Sequence, residues 1–183
     1  MKYAKIIEND TVNCMEGITV SLFMSGCPHH CKNCFNPEAW DYNYGEEFTE
    51  KEEDEIIDFL SNDFVDGLTL LGGEPMWPDN QKQTLPLLRK IKEKYPNKSI
   101  WCYTGYLFDK EIMDKMYKEN DFTREFLSYI DVLVDGRFVE SLLNRSLYFR
   151  GSSNQRIIDV RKSIKGKKVV EYKMNKEGEK INA

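Results

Sequence analysis

Five cysteines stand in the chain, at positions 14, 27, 31, 34 and 102, and three of them crowd into Ser25-Gly26-Cys27-Pro28-His29-His30-Cys31-Lys32-Asn33-Cys34-Phe35-Asn36. An odd number, bunched in this way, makes a poor disulfide framework; in a reducing compartment such a group binds metal. Thiolates spaced C-x3-C-x2-C can hold three irons of a four-iron, four-sulfur cluster. The fourth iron then has no protein ligand and can chelate a small molecule through an amine and a carboxylate. Two other sites fit the same residues. His29 or His30 could complete a tetrahedral Cys3His zinc site, and Cys14 or Cys102 could supply a fourth thiolate to a cluster that only carries electrons. Cys102 sits in an apolar strand and reads equally as a small core residue; Cys14 reads as incidental.

A second group is Leu70-Leu71-Gly72-Gly73-Glu74-Pro75. Paired glycines let a ligand approach the backbone, and a carboxylate beside exposed peptide groups accepts hydrogen bonds from an ammonium. Alone, the stretch is also an ordinary strand-to-helix turn. A third is Asp135-Gly136-Arg137, which by itself reads as a surface charge pair.

The elements that must hold these groups alternate in type. Ile18 to Met24, Leu68 to Leu71, Ser99 to Tyr103 and Asp131 to Val134 read as apolar strands. Thr49 and Glu52 form a capping box ahead of Ile56, Ile57 and Leu60. Asp79 starts a second helix, begun late or kinked at Pro86, and Asp109 caps a third that turns Ile112, Met113 and Met116 inward. Strands alternating with helices imply parallel strands and right-handed crossovers. Later, Phe138 to Leu143 reads as a short helix, and Arg156 to Val160 and Lys168 to Tyr172 as strands. The acidic run Glu46 to Glu55 reads as a solvated face.

The chain has 183 residues, of which 40% are hydrophobic and 31% charged, a soluble globular composition. It is too short for an eight-fold barrel, which takes ~250 residues; a doubly wound sheet or a partial, open barrel fits. Residues 1–174 are expected to form one domain and residues 175–183 a polar, frayed tail. A net charge of −5, from 26 basic and 31 acidic side chains, argues against a general nucleic-acid binder. No apolar run is long enough to span a bilayer, and MKYAKIIEND is not a secretory signal, so the expected address is the cytoplasm.

With Cys27, Cys31 and Cys34 followed by Gly72-Gly73-Glu74-Pro75, the chain resembles the radical S-adenosylmethionine superfamily. That resemblance implies an α/β fold, a partial open (β/α) barrel with parallel strands. It implies one 4Fe-4S cluster on Cys27, Cys31 and Cys34, with S-adenosyl-L-methionine on the open iron. Gly72, Gly73 and Glu74 would meet the methionine amino group, and the peptide Asn33-Cys34-Phe35 the adenine. Members often carry an aromatic residue just before the third cysteine, where this chain has Asn33.

Within the superfamily, Tyr103-Thr104-Gly105-Tyr106, Val134-Asp135-Gly136-Arg137-Phe138 and Phe149-Arg150-Gly151-Ser152-Ser153-Asn154-Gln155-Arg156-Ile157-Ile158-Asp159 resemble the activating proteins of anaerobic ribonucleoside-triphosphate reductase. Asp135 and Arg137 replace the Asp-Leu-Lys triplet of other activases, and by that match Arg137 would neutralise the methionine carboxylate. The resemblance implies a flavodoxin-type reductant and a glycyl radical raised on the reductase. No side chain is needed as a general acid or base. Activation of another glycyl-radical enzyme, such as pyruvate formate-lyase, and a non-enzymatic zinc module are the alternatives. Arg150 to Arg156 carries no chemical role that the sequence alone supplies.

Overall fold

The computed structural model describes residues 1–14 and 17–173; the expected polar tail lies outside the described residues. One seven-stranded sheet runs in the order β3-β1-β2-β4-β5-β6-β7. The strands are β1 (Lys2–Asp10), β2 (Ile18–Met24), β3 (Glu46–Glu47), β4 (Val65–Gly72), β5 (Ser99–Tyr103), β6 (Val132–Asp135) and β7 (Arg156–Asp159). The helices are α1 (Glu50–Phe59), α2 (Pro78–Lys94), α3 (Tyr117–Glu119), α4 (Asp121–Tyr129) and α5 (Val160–Gly166), with a π-helical stretch, Phe108–Met116, running into α3.

The architecture is mixed α/β. β2, β4, β5 and β6 pair in parallel as expected. The expectation of parallel strands fails at the margins, where β1 is antiparallel to both β2 and β3, and β7 to β6. Between β1 and β2 the physical reason is connection length. Strands joined in parallel need a crossover helix, and only about seven residues separate β1 from β2.

The central strands are buried on both faces, which is why they read as continuous apolar runs. On one face Val20, Leu22, Met24, Leu68, Leu70, Ile100, Cys102 and Leu133 join one apolar cluster with Ile56, Leu60, Leu88, Ile91, Ile112, Phe126 and Leu127 from the helices. Each such side chain, removed from water, contributes about 2 kcal/mol. The opposite face carries Phe23, Leu71 and Tyr103, which face a cleft, and a smaller cluster around Trp101, Val132, Val134 and Ile157. The helical side therefore holds the sheet, and the other side is left for ligands.

Locally the sequence signals act much as chemistry dictates. The Thr49 side chain accepts from Lys51 N while the Glu52 carboxylate accepts from Thr49 N at 2.8 Å, closing the capping box that starts α1; such a cap is worth about 1 kcal/mol. α2 starts at Pro78 and runs through Pro86 to Lys94, so the helix does not begin late. Asp109 is not a cap: Leu107 holds that position, and the Asp109 carboxylate takes Arg156 instead, at 2.7 Å. Phe138 to Leu143 contains only a 3-10 turn, Glu140–Leu142. Lys168 to Tyr172 forms a single bridge, Ile158 to Glu171, and not a strand.

Candidate functional site

At the carboxyl ends of the parallel strands, a cleft of about 540 Å³ is lined by Cys27, Cys31, Cys34, Phe35, Gly72, Gly73, Glu74 and Arg137, among others. This is where parallel α/β sheets place ligands. Residues far apart in sequence meet here because β2, β4, β5 and β6 end at one level.

The ladder between β2 and β4 does not stop with the strands. Gly73 N donates to Met24 O at 2.7 Å and Glu74 N to Gly26 O at 2.8 Å. The cysteine loop and the glycine-glutamate loop are thus joined by backbone rungs. Asn80, from the first turn of α2, adds two more bonds, to Ser25 O and Glu74 O. Such closeness requires glycine: a Cβ on Gly73 would stand 2.6 Å from Gly26 O, and Gly72 has φ +99 with Met24 O 2.7 Å from where a Cβ would be.

Among the three cysteines, burial pushes the Cys27 thiol up to about 12, against a hydrogen bond from the His29 backbone. Burial also raises Cys31, and neighbouring Cys34 adds to this; the Phe138 N–H and the Arg137 guanidinium oppose it. Cys34 Sγ accepts from Asn36 N at 3.5 Å. Burial therefore favours the protonated form of the Cys27 thiol, and a metal bound at such a thiol would replace its proton. N–H groups aimed at cluster sulfurs are one of the levers that set a cluster's potential.

His29 is already committed. Its Nδ1 lies 3.0 Å from Arg137 Nε, which can only donate, so Nδ1 accepts and the ring proton sits on Nε2. Nε2 then donates to Glu74 Oε2 at 2.6 Å. The ring packs edge-on against Tyr106 at 4.5 Å and close over Gly105, where a Cβ would stand 2.3 Å from it. His30 instead packs against Trp40. Both ring nitrogens of His29 are thus engaged, and His30 does not line the cleft. Among the described residues no three His, Cys, Asp or Glu side chains gather around one point as a single ion requires; a cluster spreads its thiolates over separate corners.

Glu74 is fully buried and accepts four bonds. Oε1 takes Met76 N at 2.8 Å and Thr104 Oγ1 at 2.7 Å; Oε2 takes Gly105 N at 2.8 Å and His29. Sequence reading assigned no role to Thr104 or Gly105, and saw His29 only as a metal ligand. The available signal was position, since Thr104-Gly105 follows β5 as Gly72-Gly73 ends β4.

Two of the expected residues do not line the cleft. Asn33, at φ 55, turns its side chain outward to Glu140. Asp135 is fully buried and accepts from Phe108 N at 2.7 Å and from Arg156. Its neighbour Gly136, at φ +97, turns the chain so that Arg137 enters the cleft. Phe35 stands at the mouth, 69% exposed, with its ring 5.1 Å from that of Phe138.

The far wall is closed by the stretch that the sequence left unexplained. The Asn154 amide donates to Arg137 O at 2.9 Å and the Gln155 amide to Gly136 O at 3.0 Å. Arg156 pairs with both Asp135 and Asp109. Gln155 Oε1 accepts from Gly151 N and Ser152 N, and Gly151 lies where a Cβ would be 2.8 Å from the Phe35 ring and 3.1 Å from the Phe138 ring.

A family described as "4Fe-4S single cluster domain" matches residues 15–158. Several relatives carry the name anaerobic ribonucleoside-triphosphate reductase-activating protein. The one from Haemophilus influenzae is 40% identical over 157 residues, covering 85% of this chain and 96% of that protein. The one from Enterobacteria phage T4 is 37% identical over 159 residues, covering 86% and 93%. The one from Escherichia coli (strain K12) is 39% identical over 157 residues, covering 85% and 96%.

Proposed function

Because the chain belongs to the family of anaerobic ribonucleoside-triphosphate reductase-activating proteins, we propose that it activates such a reductase by raising a glycyl radical on it. It is an oxidoreductase with a 4Fe-4S domain. In the finer reading, Cys27, Cys31 and Cys34 are the only protein ligands of the cluster, and the iron without one takes S-adenosyl-L-methionine.

The observation that carries this reading is that one cleft gathers the three thiols with Gly73, Glu74 and Arg137. The residues fit the group. His29 is engaged through both ring nitrogens, His30 lies off the cleft, and Cys102 is fully buried in β5; among the described residues the buried Nε1 of Trp40 and Nε of Arg150 have no hydrogen-bond partner although both residues line the cleft. When bound, such a cluster would supply the electron for reductive cleavage of S-adenosylmethionine, the chemistry by which hydrogen is taken from a glycine Cα.

The chain's own residues bind and orient. Glu74 offers Oε2 to the methionine ammonium, which competes there with His29. Arg137 offers its guanidinium to the carboxylate. Gly72 and Gly73 admit the amino acid to the backbone, and Phe35 with the Asn33–Cys34 peptide borders the adenine. Asp135 holds its strand end through Arg156 and Phe108 N and acts on the cofactor only through Arg137. No side chain needs to move a proton.

The same reading takes residues 1–174 as one domain whose sheet is part of an open (β/α) barrel, with the cytoplasm as its address and a flavodoxin-type donor as its reductant. No helix among the described residues is long and apolar enough to cross a membrane, and the acidic net charge gives no nucleic-acid footprint.

Anaerobic reconstitution with iron and sulfide tests this. Iron near four per chain and reductive cleavage of S-adenosylmethionine to 5′-deoxyadenosine are expected. A colourless protein holding one zinc would overturn it.

A further inference from the structure

We propose that Asn154 and Gln155 are positioning residues for Arg137, acting as a side-chain extension of the β6–β7 ladder; this rests on the reading that Arg137 serves the cofactor. The pairing of β6 with β7 reaches its last register at Asp135 opposite Arg156. Beyond it, Gly136 leaves the extended conformation at φ +97. A departing strand end carries peptide carbonyls that its neighbour can no longer reach through backbone N–H groups. Here the next two residues of the neighbour reach them with side-chain amides, Gln155 to Gly136 O and Asn154 to Arg137 O. Three consecutive residues of one segment, 154, 155 and 156, thus grip three consecutive residues of the other, 137, 136 and 135, in antiparallel order.

What the grip positions is specific. Arg137 is half exposed and reaches Glu111 and His29 from the cleft side; a guanidinium on three rotatable carbons has no fixed direction unless its own peptide is held. The peptide that follows presents Phe138 N–H to the Cys31 sulfur. One clamp therefore aims a cofactor-binding cation and a hydrogen bond to a cluster ligand together. Gln155 is itself oriented by Gly151 N and Ser152 N, which gives the Gly151-to-Arg156 stretch a reason for its residue types. Asn154 is exposed, so removing its amide leaves no buried group stranded and separates a positioning role from one in stability.

The test measures S-adenosylmethionine affinity by calorimetry on anaerobically reconstituted protein, for Asn154→Ala, Arg137→Ala and the double variant, with Gln155→Glu as a second probe. Gln155→Glu keeps the acceptor for Gly151 and Ser152 and removes the donor to Gly136. Each single variant is expected to keep its iron content and melting temperature while binding several-fold more weakly. Asn154→Ala should add nothing once Arg137 is gone. In the protein without cofactor, deuterium uptake over residues 135–138 should rise in Asn154→Ala. Undiminished affinity in Asn154→Ala, or an equal loss with and without Arg137, overturns the proposal. If the wild-type holoprotein binds no S-adenosylmethionine, the cofactor reading fails on its own; unchanged deuterium uptake over 135–138 would then still overturn the clamp, and raised uptake would uphold it.

Discussion

On the β2–β4 side of the cleft, the cysteine loop is tied to Gly73 and Glu74 mainly by backbone rungs, with the Asn80 amide added behind them. On the β6–β7 side, Arg137, Gly136 and Asp135 are tied by the side chains of Asn154, Gln155 and Arg156 respectively. Backbone rungs survive most substitutions, so the first wall can leave its side chains to the proposed chemistry: thiols for iron and, in competition with His29, a carboxylate for an ammonium. Side-chain ties do not survive substitution, so the second wall ties its geometry to residue identity. A change on the first wall should therefore remove a reaction step while the fold stays. A change on the second should move a group and leave the chemistry possible but less well aimed.

The sharpest break comes from the first wall. Cys27→Ala, Cys31→Ala or Cys34→Ala should each abolish bound iron and S-adenosylmethionine cleavage, whereas Cys102→Ala and Cys14→Ala should retain both. Iron and sulfide assays after reconstitution decide it, and loss of the cluster in Cys102→Ala would replace the open iron with a four-thiolate site.

Next in size is Arg156→Ala on the second wall. It strands the buried Asp135 carboxylate, which among the described residues is then left with Phe108 N alone. Breaking a buried pair from one side costs about 3 kcal/mol, which for a domain of this size lowers the melting temperature by roughly 6–12 °C. A calorimetric scan showing no change would mean that the pair holds nothing.

Glu74→Gln comes third. It keeps the shape and the Oε1 acceptor for Met76 N and Thr104, and removes the charge. A charge-assisted hydrogen bond is worth about 1.5–3 kcal/mol, so affinity for S-adenosylmethionine should fall ten-fold or more with iron content unchanged. Glu74→Ala is a poorer probe, because it also leaves Met76 N and Thr104 without an acceptor in a buried place, whereas Glu74→Gln loses only the Oε2 acceptor of Gly105 N and His29.

The smallest effect is a pH dependence. The hydrogen bond from Arg156 holds the Asp109 carboxyl below its ordinary value of 3.8. A carboxyl lowered in the folded state contributes stability that is fully present above its unfolded value and is lost as pH falls through the folded one. The second wall should loosen below about pH 4, and Asp109→Asn should flatten that acid limb in an unfolding titration. An identical limb in the variant would remove Asp109 from the account.

Much of the first wall was legible in the sequence because its parts are local. Ile18 to Met24 and Ser99 to Tyr103 are short apolar runs that became strands with the expected bounds, and the cysteines and Gly72 to Glu74 sit directly after two such strands. β1 was missed because Lys5, Glu8 and Asn9 interrupt its apolar residues, as suits a strand near the margin of the sheet. α2 ran through Pro86, since burial of Leu85, Leu88 and Ile91 outweighs one missing N–H. The second wall was not legible for a different reason. Its bonds join side chains to peptide groups 17 and 19 residues away, and no periodicity encodes such a pairing. Arg150 to Arg156 was visible as a distinctive stretch, but its purpose appears only once β7 is laid antiparallel to β6. The roles of His29, Thr104 and Gly105 likewise depend on three loops ending at one level.

The central claim is that this chain raises a glycyl radical on an anaerobic ribonucleotide reductase. Its most direct test mixes reduced, reconstituted protein with S-adenosylmethionine and the reductase in the absence of oxygen and records the electron paramagnetic resonance spectrum. Hydrogen abstraction from a glycine Cα should give a doublet that appears with the reductase and not with pyruvate formate-lyase. A doublet with pyruvate formate-lyase alone, or cofactor cleavage with no radical on the reductase, would contradict it.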